Sequence, residues 1–84
     1  MAKTHTIEIT EMKFPEKTDI AAGDTVEWIN KMSMIHTVTA DNGEFDSGDL
    51  RKDQSFWQVF ASAGEVPYHC EKHPALMQGT VVVS

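Results

Sequence analysis

Cysteine is nearly absent from this chain: among 84 residues only Cys70 is one. An internal disulfide is excluded, and so is a thiol-rich structural zinc site, which needs several thiolates. Cys70 is left as an inert buried thiol, a reactive group or a metal ligand. Basic residues are few as well. The 7 of them (Lys3, Lys13, Lys17, Lys31, Arg51, Lys52 and Lys72) are scattered along a chain with 13 acidic residues and a net charge of -6. Nucleic-acid binders cluster their Lys and Arg, so this balance fits a basic or neutral protein partner and no nucleic acid. No apolar run approaches the roughly 20 residues that cross a bilayer, which argues against membrane insertion. Met1 to Thr10 has neither the basic start nor the apolar stretch of a signal peptide, and the chain reads as soluble. A mature exported protein carrying an added Met1 would look the same, so location stays open on this ground.

What is present is an ordinary globular balance, 40% hydrophobic and 24% charged. A chain this short buries only about 60% of its unfolded surface and has material for one core. With no repeat, linker or low-complexity tract to divide it, residues 1–84 read as one domain.

Short strands recur. Ile7, Glu8 and Ile9 alternate within Thr6 to Thr10, and Val26 and Trp28 stand two apart within Thr25 to Asn30. His36 to Ala40 is β-branched, Ser55 to Phe60 spaces Phe56, Gln58 and Phe60 by two, and Thr80 to Val83 ends as a valine run. Turn signals lie between them at Phe14-Pro15, Ala22-Gly23-Asp24, Asp41-Asn42-Gly43, Ser47-Gly48-Asp49 and Ala63-Gly64-Glu65. The fold class is all-β, a sandwich or barrel. Asp41 to Asp53 has the weakest pattern and is compatible with a short helix, an irregular loop or a frayed edge strand.

The chemistry concentrates in Tyr68-His69-Cys70-Glu71-Lys72-His73-Pro74-Ala75-Leu76-Met77. It sets a thiolate, an imidazole and a thioether at the spacing CxxHxxxM. With a strand ending near Cys70, another starting after Gly79, and Pro74 stiffening the turn, the three side chains can converge as a metal clamp. Two histidines, one thiolate and a weak axial thioether suit copper, whose two oxidation states prefer geometries on either side of this one. The second histidine must come from elsewhere. His36 is the candidate, placed where Lys31 to Ile35 returns into a β-branched stretch, although spacing alone does not separate it from a surface histidine.

The run GDTVEWIN, the loop ending in His36, and GEVPYHCEKHPALMQGTVVV together resemble the cupredoxins, above all plastocyanins, pseudoazurins and amicyanins. The resemblance covers nearly the whole chain. It implies a Greek-key β-sandwich with one Cu(I)/Cu(II) ion near one end, held by His36, Cys70, His73 and Met77. It also implies a monomeric periplasmic or otherwise exported carrier of single electrons, not an enzyme. Its redox donor and acceptor would dock near His73, Pro74 and Leu76, with His73 as the electron's exit. Thr37 stands where relatives commonly place an Asn that tethers the two ligand loops, and Glu71 follows Cys70 where Ser or Thr is usual. The shortness of Thr37 to Val66 leaves room for a trimmed or missing edge strand.

Other readings compete at each position. A copper-delivery protein would use the same ligands and release the ion, and a cysteine hydrolase would pair Cys70 with His36 or His73 as base. Met12, Met32 and Met34 read as filler or surface. His5 near the chain start points to water, and His69 faces away from Cys70 on the strand. Asp41, Glu44, Asp46, Asp49 and Asp53 lack the spacing of a calcium loop and form a solvated acidic face. Trp28, Phe56 and Phe60 anchor the core, and Trp57 is exposed. The Glu71 carboxylate either favours Cu(II) from beside the ligand or is screened on the outer face of the loop.

Overall fold

The structure is a computed structural model that describes residues 2–84. Seven strands run in the order β1 (Thr4–Ile9), β2 (Thr18–Ile20), β3 (Thr25–Asn30), β4 (Thr39–Ala40), β5 (Ser55–Val59), β6 (Gly64–His69) and β7 (Gln78–Val83). They form a three-stranded sheet, β1-β3-β5, and a four-stranded sheet, β2-β7-β6-β4. β1 lies parallel to β3 and β2 parallel to β7, while β3/β5, β4/β6 and β6/β7 are antiparallel. The chain crosses between sheets repeatedly before closing with the β6–β7 hairpin, giving a two-sheet β-sandwich, the expected all-β architecture.

Alternation decides which face of each sheet turns inward. In β3 the buried positions are Val26, Trp28 and Asn30, and in β7 they are Gly79, Val81 and Val83. Ile7 and Ile9 of β1 and Tyr68 of β6 complete a shared interior. Each large apolar side chain so buried contributes about 1.5–3 kcal/mol. Trp28 is the centre: its ring meets Tyr68 edge-on at 5.2 Å and lies 6.1 Å from both Phe45 and Phe56. Gly79 is dictated by Tyr68, since a Cβ there would stand 2.8 Å from the tyrosine Cζ and 2.7 Å from the Pro15 carbonyl oxygen.

The pattern over Thr25 to Asn30 matches β3 end to end, and the other predicted strands shift by a residue or two. The His36–Ala40 stretch differs. Only Thr39 and Ala40 are strand, with His36 making a single bridge to Leu50. The reason is where its amides go: Thr37 N–H donates to Cys70 Sγ at 3.3 Å and Val38 N–H to Ser47 Oγ at 2.8 Å. The edge strand is trimmed to β4. Residues 41–53 form an irregular loop pinned by bridges Thr39↔Asp46 and His36↔Leu50. β2, of 3 residues, carries no strand signal of its own, and β6 is the strand expected to end near Cys70, its alternation interrupted by Pro67.

His5 corrects its reading as a side chain pointing to water: its Nε2 pairs with the Asp24 carboxylate at 2.9 Å. Asp24 is buried in the turn before β3 and also accepts N–H groups from Lys3 at 2.9 Å and Ala21 at 3.1 Å. The His5 hydrogen bond, then the two amides, hold the Asp24 carboxyl down at about 2, from 3.8. A depressed carboxyl stabilises the fold above its unfolded value, and that contribution is lost as pH falls through the folded value. We predict that urea denaturation finds Asp24→Asn less stable than wild type at pH 5, with the gap closing between pH 3.8 and about 2. A gap independent of pH would contradict this.

Candidate metal centre

The β6–β7 hairpin builds most of the site. His69 pairs with Gln78 as its last strand rung, and the Cys70 N–H then donates to the Met77 carbonyl at 3.0 Å. Inside the loop, His73 N–H reaches the Cys70 carbonyl at 3.1 Å and Met77 N–H the His73 carbonyl at 2.9 Å. Gln78 Nε2 holds the Pro74 carbonyl at 2.9 Å from outside. These tight turns fold the backbone of Cys70, His73 and Met77 into one compact loop. Cys70 and Met77 are wholly buried beneath the loop, and His73 is half-buried at its surface.

His36 arrives from the other side of the sandwich. Its backbone exchanges two hydrogen bonds with Leu50, at 3.1 and 2.8 Å. Leu50 is itself held through its carbonyl by Asn30 Nδ2 at 2.8 Å. The same amide group donates to Met34 O at 2.9 Å, and Asn30 Oδ1 accepts the Met32 N–H at 2.9 Å. One side chain at the end of β3 thus shapes the whole loop that delivers His36. Sequence reasoning noted the W-x-N run and missed this role. The signal was a polar residue at an inward position of an otherwise apolar alternation.

The two segments meet closely. His36 Nδ1 stands 3.8 Å from Cys70 Sγ, and the His36 and His73 ring centroids are 5.9 Å apart. Two donors sharing one ion at bond lengths of about 2.0 and 2.3 Å and a trigonal angle stand roughly 3.7 Å apart, so the His36–Cys70 pair fits a common metal. Among the described residues, no three His, Cys, Asp or Glu side chains are gathered tightly enough to make a cluster by themselves. The tight contact is the His36–Cys70 pair, with His73 standing across from it. Burial, and then electrostatic repulsion from the nearby His73, lowers the His36 pKa, which favours the neutral imidazole with a lone pair to offer.

A family model described as copper binding proteins, plastocyanin/azurin family, matches residues 1–84. The chain belongs to this family. The amicyanin of Paracoccus denitrificans is 38% identical, the match covering 92% of this chain and 63% of that protein. This chain therefore spans less than two thirds of that relative. The plastocyanin of Scenedesmus fuscus is 32% identical over 82% of this chain and 83% of its own length. Among solved structures, that of an oxidized amicyanin mutant superimposes with a TM-score of 0.87 at 32% identity, covering 95% of this chain and 81% of that one.

Against that family, Thr37 proves to be a working substitute for the usual tethering Asn. Its Oγ1 accepts the Glu71 N–H at 2.8 Å, while its own N–H donates to the Cys70 sulfur. Glu71 points outward, more than half exposed, with its carboxylate 3.7 Å from His69 Nε2; of its two readings, the screened one describes this geometry. His69 faces away from the sulfur and pairs with Asp41. Met12 and Met32 pack against the core, and Met34 is exposed.

Removing the Thr37 hydroxyl would leave the Glu71 amide without its acceptor, at a cost of about 1–3 kcal/mol. We predict that Thr37→Val unfolds at lower urea concentration by that amount, whereas Thr37→Ser stays within about 1 kcal/mol of wild type. Equal stability of the valine variant and wild type would show that the tie carries no energy.

Proposed function

We propose that His36 Nδ1, Cys70 Sγ, His73 and Met77 hold one copper ion, and that the chain is a one-electron carrier between redox proteins. The observation that carries this is the buried contact between Cys70 Sγ and His36 Nδ1 at 3.8 Å. Two strong donors, 34 positions apart in sequence, are drawn together in the interior. Bound copper would supply the Cu(I)/Cu(II) couple and a charge-transfer absorption from the thiolate. The chain's own part is to keep the donors in place. Cys70 is fixed by its N–H on Met77 and by the Thr37 N–H on its sulfur, and His36 by its paired bonds to Leu50. A frame braced in this way changes little when an electron arrives or leaves.

A cysteine hydrolase is disfavoured because Cys70 is wholly buried, out of reach of a substrate. Delivery of copper uses the same donors and is separated from carriage by whether the ion stays bound through redox cycles. An exported or periplasmic location, and a monomer, fit the family membership.

His73 is the donor nearest solvent, and it lies beside exposed Pro74 and Leu76, the latter 68% exposed. Met34, on the His36 loop, is exposed as well. This apolar rim is the docking surface we propose for donor and acceptor proteins, with His73 as the electron's route between copper and partner.

Adding Cu(II) to the metal-free protein should saturate at one ion per chain and produce an intense visible band. Cys70→Ala should abolish the band while leaving the far-UV circular dichroism of the sandwich; a band that survives this change would refute the ligand set. For the docking surface, Leu76→Glu should leave the band intact and weaken partner binding by roughly tenfold, since a charge at an apolar contact costs at least about 1.4 kcal/mol. Unchanged transfer rates with every competent partner would place docking elsewhere.

A further inference from the structure

The two nitrogens of His36 face different neighbours. Nδ1 is on the Cys70 side, and Nε2 meets the sulfur of Met32 at 3.2 Å. His36 is wholly buried, and no other hydrogen-bond partner of Nε2 appears among the described residues. Met32 packs against the core and its backbone is pinned by the bond from its N–H to Asn30 Oδ1 at 2.9 Å, so the placement of its sulfur follows from the loop.

A metal-binding histidine ordinarily donates its second ring N–H to a carboxylate, a carbonyl or water. That partner selects the tautomer, orients the ring and raises its basicity. A thioether is a weak acceptor by comparison. We propose that Met32 is the positioning residue for His36: its sulfur accepts the hydrogen bond from Nε2–H, which keeps the proton on Nε2 and leaves the Nδ1 lone pair toward Cys70. Because it accepts weakly, it leaves the imidazole a poorer electron donor than an oxygen acceptor would. Weakening the donor costs Cu(II) more than Cu(I), so the thioether tilts the couple toward the reduced state. The tilt rests on the copper reading above, whereas the tautomer does not.

The experiment has one arm without metal and one with it. Nitrogen-15 NMR of the metal-free protein should find the His36 proton on Nε2. Met32→Leu, close in volume but with no acceptor, should give a mixture of tautomers. In the copper-loaded protein, Met32→Gln, which offers an amide oxygen, should shift the one-electron equilibrium toward the oxidised form by about tenfold, a fall of about 59 mV. A proton found on Nδ1 in wild type would overturn the proposal. So would Leu and Gln variants that keep the visible band together with the wild-type tautomer and potential. If wild type gives no visible band with Cu(II), the copper reading fails, and the metal-free arm still decides the role of Met32.

Discussion

Everything at this site depends on holding together two pieces of chain that are far apart in sequence. Cys70 and His36 are separated by 34 positions, and a single residue, Thr37, ties them. Its N–H points at the Cys70 sulfur and its hydroxyl accepts the Glu71 N–H, so one residue of the His36 segment bonds both the Cys70 side chain and the backbone just beyond it. A thiolate gains from an N–H donor, because such a bond spreads its charge and fixes its direction. A loop gains from having its amide satisfied, because a buried N–H without a partner is costly. The same tie also shortens the strand that follows. An amide committed to sulfur is lost to the sheet, and with the Val38 N–H given to Ser47 Oγ, β4 retains only two residues.

Around that tie the sandwich acts as a frame. Trp28, at the centre of the core, stands two residues before Asn30, and Asn30 reaches across to the backbones of Met32, Met34 and Leu50. Core packing and site geometry are therefore continuous along β3: the strand that buries the tryptophan also presents the amide that shapes the His36 loop. On the other sheet, β6 carries Tyr68 into the core two residues before Cys70, and β7 leaves Gly79 bare to admit the tyrosine ring. Cys70 and Met77 thus sit at the facing ends of the β6–β7 hairpin, whose strands pack into the core through Tyr68, Val81 and Val83.

Much of this was legible from residue order, and the limits have physical causes. The loop from Cys70 to Met77 was readable because its donors are close in sequence and its closure by Pro74 is local. β3 was readable because its alternation is unbroken. His36 could be named only through the family pattern, since its neighbour is Cys70 and nothing near it in sequence says so. The His36–Ala40 strand was over-read because β-branched residues signal β preference but not where amides donate. The Asp24 pairing of His5 was missed for the same reason: it joins residues 19 positions apart. Thr37 looked like a departure from the family until its hydroxyl was seen doing the tethering.

If the frame is formed before metal arrives, hydrogen exchange of the metal-free protein is the most direct test. The amides of Thr37, Cys70 and Glu71 should then be protected to within about tenfold of the Val66 and Val81 amides in the hairpin strands, and Cu(I) should add little. Near-unprotected exchange at those three amides, rising to strand-like protection only after Cu(I) is added, would mean that the metal builds the site and would contradict the account.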